Sequence, residues 1–323
     1  MIPVKEASRL YDMTPHRLKQ IIKESHLDVV KLPNGYIRIP NDTMSKLNKI
    51  RKLDYLPRIV TVGMEKGGIG KTIISINLAI CAARKGLRVL ICDFDPECCA
   101  SLFLAPDDTD WEDLGSIREV FLNEKKVSDY VIPSRFDGLD FLPSKSRVRK
   151  IDRQLDGLNP KYFLKKVIQD LVDQYDLILF DIPPSFNNLC RASYLSSDVI
   201  ICPVLDDVFS IDSLHLTIED IEEACEEFDV AKPTIKVLRN RFSTLNPDTG
   251  NKRIRKASID IGAELNREFA DKLLPLQVRE TESVKNALNN GLSFYDSPKD
   301  ARIEDVKTAI EDLFQFIQST DQN

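Results

Sequence analysis

The hydrophobic pattern changes period repeatedly along the chain, and each change marks an element. Ile59–Val62 is a short apolar, β-branched run of strand length. After a glycine-rich turn, Ile73, Ile76, Ile80 and Ala83 fall on one helical face, with Gly86 placed as a C-cap. Val89–Cys92, Leu139–Pro143, Leu177–Phe180, Val199–Val204 and Thr234–Leu238 are further apolar runs, the pattern of strands buried on both faces. Lys161–Gln174, residues 211–229 and Ile303–Ile317 carry helical periodicity. In the second of these, Ile218, Ile221, Cys225 and Phe228 line one face, and acidic residues the others. Alternating strands and helices predict an α/β fold over residues 58–323, with a doubly wound, mostly parallel sheet. Residues 106–135 carry Asp107, Asp108, Asp110, Glu112 and Asp113 and read as a surface excursion.

Residues 1–53 follow a different rhythm. Val4–Tyr11 suits a short helix, and Asp12-Met13 a turn. Thr14 can cap a second helix that has Pro15 at its first position and runs to about Ser25. Two short strands flank Asn34-Gly35, a strong hairpin signal, and Asp42–Leu53 forms another helix. Residues 54–57 read as a linker. Helix-turn-helix plus hairpin resembles the winged helix-turn-helix of MerR-like and excisionase-like DNA-binding domains. The resemblance implies a second helix in the major groove and a hairpin along the backbone. Arg17, Lys19 and Lys23, with His16 and Gln20, are then the exposed candidates, and Lys31 and Arg38 flank the wing. The competing reading is a protein-interaction or dimerisation module with a solvated basic face.

Charge sharpens this division. The net charge of −6 conceals a basic head: residues 1–58 hold 12 Lys/Arg against 6 Asp/Glu, and the remainder 33 against 45. A basic head on an acidic body suits an anionic partner. With 323 residues, 42% of them hydrophobic and 30% charged, the chain reads as soluble and globular with more than one domain. No apolar run approaches the roughly 20 residues of a membrane span. The N-terminus lacks an apolar signal core, so a cytoplasmic location is expected. The seven cysteines, Cys81, Cys92, Cys98, Cys99, Cys190, Cys202 and Cys225, form no C-x-x-C pair, which argues against structural zinc.

Candidate chemistry concentrates after the strand at Ile59. Gly67, Gly68, Ile69 and Gly70 lead into Lys71-Thr72 and a helix. Strand, glycine loop, GKT and helix is the context of a phosphate-binding loop. Backbone N–H groups and the helix N-terminus would bind phosphate, Lys71 would reach the terminal phosphates, and Thr72 would ligate Mg²⁺. In the usual spacing the first glycine would stand at 65, where this chain has Glu65, and a second lysine, Lys66, precedes Gly67. Asp93 and Asp95 end the strand Val89–Cys92, and Asp181 ends Leu177–Phe180, where such sheets place ligands.

The run KGGIGKT resembles the deviant Walker A motif of the ParA/MinD ATPases. That family implies ATP/ADP and Mg²⁺ as cofactors and an ATP-dependent homodimer in which Lys66 crosses to the partner's phosphates. DFDPE resembles its DxDPQ box, implying that Asp95 holds the attacking water and Asp93 supports the Mg²⁺ and loop network. Glu97 departs from the usual glutamine. DIPPS resembles its DxPP segment, which brings Pro183 to the nucleotide and Asp181 to the metal shell with Thr72 and Asp95. Asn240-Arg241 resembles the adenine position. Ile73 stands where a hydroxyl residue often follows GKT, removing a hydrogen bond worth about 1 kcal/mol. Lys252, Arg253, Arg255 and Lys256, and further on Arg279 and Lys285, resemble the family's nonspecific DNA contacts, with ion pairing as the bland alternative. The basic run Lys145, Arg147, Arg149, Lys150 and Arg153 reads as a solvated helical face.

The resemblance implies a slow Mg-dependent ATPase of plasmid or chromosome partition, nucleoid-associated and stimulated by a ParB-like centromere-binding protein. The head would repress its own operon. No polybasic membrane-targeting tail is present. A nucleotide-gated transcriptional regulator and a positioning ATPase for a non-DNA cargo are the alternatives.

Overall fold

Seven parallel strands and one antiparallel edge strand form the central sheet, and two faces of helices close over it. The computed structural model describes residues 1–111, 114–123, 126–145, 167–242, 252–298 and 300–319. The sheet contains β4 (Arg58–Val62), β5 (Val89–Asp93), β6 (Ile132–Pro133), β7 (Leu139–Leu142), β8 (Leu177–Asp181), β9 (Val199–Val204), β10 (Thr234–Phe242) and β11 (Leu273–Arg279). Its order is β11-β10-β9-β4-β8-β5-β7-β6. The doubly wound α/β expectation therefore holds. β4 and β5 both pair with β8, so their C-terminal ends converge: Val62 and Asp93 each lie opposite Asp181.

One apolar core gathers α4 (Lys71–Arg84), α5 (Cys99–Leu104), α10 (Glu282–Asn289) and α11 (Ala301–Ser319) against the sheet. The other gathers α7 (Asn188–Leu195), α8 (Val208–Phe228) and α9 (Lys252–Glu268). The central strands β5, β8 and β9 are buried at every position, which is why their sequences are continuously apolar rather than alternating.

Two expectations need correction, and one strand left no readable pattern. The stretch 106–135 is not only a surface excursion, because α6 (Ile117–Asn123) within it buries Ile117 and Val120 completely. Of the predicted helix 161–174, residues 161–166 lie outside the described set, and 167–174 form successive turns that bury Val167, Ile168 and Leu171. β11 was not anticipated, because Pro275 interrupts its pattern; at the sheet edge, a missing N–H costs no ladder bond. Arg147, Arg149, Lys150 and Arg153 lie outside the described residues.

The head contains α1 (Val4–Leu10), α2 (Pro15–Glu24) and α3 (Asn41–Arg51) around its own small core. Its hairpin, β2 (Val30–Lys31) with β3 (Ile37–Ile39), gains a third strand from β1 (Ile2–Pro3), too short to leave a sequence pattern. The Thr14 hydroxyl caps α2 by accepting from the Arg17 N–H. The head grips the far end of α4. Asn41 Nδ2 donates to the Ala83 and Leu87 carbonyls, Asn48 Nδ2 donates to the Lys85 carbonyl, and Glu6 pairs with Arg84 at 2.7 Å. At this contact Gly86 adopts φ +91°, and a Cβ there would lie 2.6 Å from the Ser45 backbone nitrogen.

Gly35, at φ +79° in the hairpin turn, faces open space. Gly35→Ala should therefore cost only the left-handed backbone penalty, about 1–2 kcal/mol. Gly86→Ala should cost about 3 kcal/mol or more, because overpacking against α3 adds to the same penalty. Urea unfolding of both variants would measure the difference.

Candidate nucleotide site

The loop between β4 and α4 is organised by the carbonyls it turns outward. Lys71, buried at the start of α4, donates from Nζ to the Lys66 carbonyl at 2.8 Å and the Met64 carbonyl at 3.2 Å. Asn240 Nδ2 donates to the Ile69 carbonyl at 2.6 Å, and Arg241 Nη1 to the Gly68 carbonyl at 3.1 Å. Gly68 and Gly70 adopt φ +72° and +84°, the left-handed region that lets such a loop turn tightly. A Cβ on Gly70 would meet Asn240 at 2.4 Å, so glycine is required there on both counts. Burial lowers the affinity of Lys71 for its proton, and Asp181 and Asp95 oppose that shift.

Behind the loop lie two carboxylates, both completely buried. Asp93 accepts from the Ser101 N–H and hydroxyl at 2.8 and 2.6 Å and from the Asp95 N–H at 3.0 Å. Asp181 accepts from the Ser75 hydroxyl at 3.0 Å and from Thr72. Burial pushes both carboxyl groups above their ordinary range; Asp181 adds to the shift at Asp93, while the Thr72 and Ser75 hydroxyls resist it at Asp181. Asp95 lies half-buried at the mouth and accepts the Glu97 N–H at 2.9 Å.

The metal fit rests on one atom. Asp181 Oδ2 is buried and has no hydrogen-bond partner, beside the Thr72 hydroxyl. Among the described residues no cluster of three His, Cys, Asp or Glu could hold an ion. A cation there would draw most of its shell from phosphate and water, which is the habit of Mg²⁺. Thr72 and Asp181, with Asp95 at the mouth, are the residues that fit it.

Above the loop opens a cavity of about 760 Å³, within the range of ligand sites. Gly67 to Ile73, Asp95, Asn240 and Arg241 line it. Of the two prolines, Pro184 lines the cavity and Pro183 is buried beside it. Arg279 and Lys285 also line it, held by Asp305 at 3.2 Å and Glu280 at 3.4 Å, and Glu280 pairs with Arg241 at 2.7 Å. Lys252, Arg253, Arg255 and Lys256 stand in the first turns of α9, and their side chains lie outside the described residues.

Lys66 does not join the loop. Its ammonium pairs with Asp207 and donates to the Ser210 hydroxyl at 2.9 Å, beneath the Phe209 ring. Asp207 caps α8 by accepting from the Ser210 N–H. Burial raises the Asp207 carboxyl, but hydrogen bonds from Lys66 and Ser210 outweigh it and leave the group below its ordinary range. Sequence reading missed Asp207 and Ser210; the signal was an Asp-x-x-Ser cap opening a long helix. It also missed Ser75 and Ser101, the hydroxyls that hold the two aspartates. Val208 and Phe209 beside Lys66 are 57% and 75% exposed, a bare apolar step next to the loop.

On the head, Arg17, Lys19, Lys23 and Lys31 are exposed and Arg38 is half-buried. Lys19 and Arg38 line one groove between α2 and the hairpin.

The chain as a whole is similar to known proteins. A family model described as an AAA domain, AAA_31, matches residues 57–236, more than half of the chain. The chain is 26% identical over 250 residues to the cell division protein PomZ of Myxococcus xanthus, covering 77% of this chain and 75% of PomZ. It is 24% identical over 229 residues to the chromosome partitioning protein ParA of Caulobacter vibrioides, covering 70% of this chain and 83% of that one. In fold it is similar to cobyrinic acid a,c-diamide synthase from Mycobacterium smegmatis with bound ATP analogue and magnesium. That match has a TM-score of 0.65 at 18% identity and covers 83% of this chain and 98% of the synthase.

Lys71→Ala should weaken ATP binding beyond calorimetric detection, because it removes a buried charge from the loop. Lys66→Ala should leave the affinity of the isolated chain within about threefold, a change under about 1 kcal/mol, since Lys66 points to Asp207 rather than into the loop.

Proposed function

Because this chain belongs to the ParA/MinD family of P-loop ATPases, we propose that it is an ATP-driven partition or positioning switch that dimerises on ATP and binds DNA. The observation that carries this reading is the contrast between its two lysines. Lys71 is locked into its own loop, whereas Lys66 rests on a surface pair that can exchange partners. Lys66 sits beside exposed Val208 and Phe209, and a second copy docked on that face would cover the apolar step while receiving the lysine.

ATP, or ADP after hydrolysis, would lie with its phosphates over Gly67 to Thr72. Asn240 and Arg241 would border the base. Thr72 and Asp181 would hold Mg²⁺, which when bound would supply positive charge to the terminal phosphates. Asp95, whose carboxylate stands at the mouth on a turn fixed by Asp93, would hold the attacking water. Lys71 and the partner's copy of Lys66 would stabilise charge as it develops on the γ-phosphate. The exposed basic residues of α2 and the hairpin support the head as a DNA-binding module of winged helix-turn-helix type. The nonspecific contacts of the ATPase body would come from α9 and its neighbours, with a ParB-like protein stimulating hydrolysis.

Asp95→Ala should abolish turnover yet retain ATP-dependent dimers; hydrolysis at the wild-type rate would assign the water to another residue. Binding to a random-sequence duplex should be tight only with ATP or a slowly hydrolysed analogue. The logarithm of affinity should fall steeply with that of salt concentration, with a slope of about −0.9 per phosphate contact. Binding that is equal without nucleotide would place the DNA contact on the head alone and favour the regulator reading.

A further inference from the structure

Glu65 stands where a phosphate loop ordinarily has its first glycine, and its carboxyl group does not line the nucleotide cavity. It reaches α8 instead, where it hydrogen-bonds with the carboxyl group of Asp220. Two carboxylates cannot share a contact while both are charged, whereas one proton between them converts repulsion into a hydrogen bond. The Glu65 backbone N–H also donates to Thr217 Oγ1 of the same helix at 3.3 Å. The next residue, Lys66, is bound by Asp207 and Ser210 at the N-terminus of α8. One helix therefore holds residues 65 and 66 side by side.

The surroundings leave the acid pair little relief. Glu65 Oε1 and the Tyr194 hydroxyl are both buried and without a hydrogen-bond partner. From α7, Tyr194 faces the pair, and Cys190 and Cys202 stand near Tyr194 in turn; none of them is a cation. Lys66, on the same loop, is turned toward Asp207.

We propose that Glu65 holds a proton against the Asp220 carboxylate and acts through that contact as a positioning residue for Lys66. While the proton is held, the loop stays drawn against α8 and Lys66 stays on Asp207. When the proton passes to solvent water, the two carboxylates repel. The start of the loop then leaves α8, and Lys66 is freed for a second copy of this chain. The last step rests on the reading of Lys66 as the lysine that crosses the dimer.

Burial, then the hydrogen bond and charge of Asp220, raise the Glu65 carboxyl from 4.5 to about 7. The clamp is therefore at full strength below pH 4.5 and is lost as the pH rises through about 7. A single proton linked in this way shifts the ratio of clamped to released chains about tenfold between pH 6 and pH 8.

The test is amine acylation of the nucleotide-free chain at several pH values, read by mass spectrometry. Lys66 is compared with exposed Lys19 in the same molecule, which cancels the reagent's own pH dependence. The Lys66-to-Lys19 ratio should rise about tenfold from pH 6 to pH 8 in the wild type. In Glu65→Gln it should stay at the low level, because the amide N–H replaces the carboxyl proton. Asp220→Asn should behave likewise, and Glu65→Ala should be high throughout. A flat wild-type ratio, or a rise in Glu65→Gln equal to wild type, overturns the proposal. Sedimentation with a slowly hydrolysed ATP analogue separates the two readings. If Lys66 is released with pH yet no dimer forms at any pH, the crossing of Lys66 is wrong and the proton pair stands.

Discussion

A single buried ammonium holds the phosphate loop in shape. Lys71 is the first residue of α4, yet its side chain folds back to the carbonyls of Met64 and Lys66. A charge in that position is tolerable only because loop carbonyls and the nearby Asp181 compensate it. In return, the ammonium fixes which way the peptides point. Asn240 and Arg241 complete the arrangement from β10, so a strand from late in the chain holds the first loop. The site thus depends on parallel pairing between strands far apart in sequence, and a local fragment of the loop would not keep its form.

The second layer consists of hydroxyls. Ser101 holds Asp93, and Ser75 with Thr72 holds Asp181. Ser101 is itself tied down, because its hydroxyl accepts the Ser144 N–H at 2.8 Å. Neutral donors can satisfy a buried carboxylate without cancelling its charge, which leaves that charge available to a cation. Asp181 Oδ2, buried without a hydrogen-bond partner, is therefore the point at which this pair of carboxylates has room for a cation.

Most of the architecture was legible because the central strands are buried on both faces and cannot hide their apolar runs. The glycine loop, the aspartates ending β5 and β8, and the hairpin at Asn34-Gly35 were legible because each demands specific residue types. What escaped detection depends on tertiary partners. Lys66 could be read as unusual, but nothing in the sequence places Asp207, 141 residues later, beside it. Ile117 and Val120 escaped because acidic neighbours dominate their window. β11 escaped because a proline at a sheet edge looks like a break. Arg279 and Lys285 stood out as cations, but Asp305 and Glu280 decide where those charges point.

The interlock between the head and α4 bears on how such a protein can change over generations. Asn41 reaches α4 from above, and a Cβ on Gly138 would strike it at 2.2 Å. Gly86 accepts the backbone of α3 from the other side. The joint is written into residues of both partners, so the head is not a cassette. Recombination that brought in a foreign head at residue 54 would leave exposed carbonyls at Ala83, Lys85 and Leu87 and two glycines with nothing to accommodate. A substitution at Asn41, Asn48 or Gly86 is therefore felt on both sides of the joint.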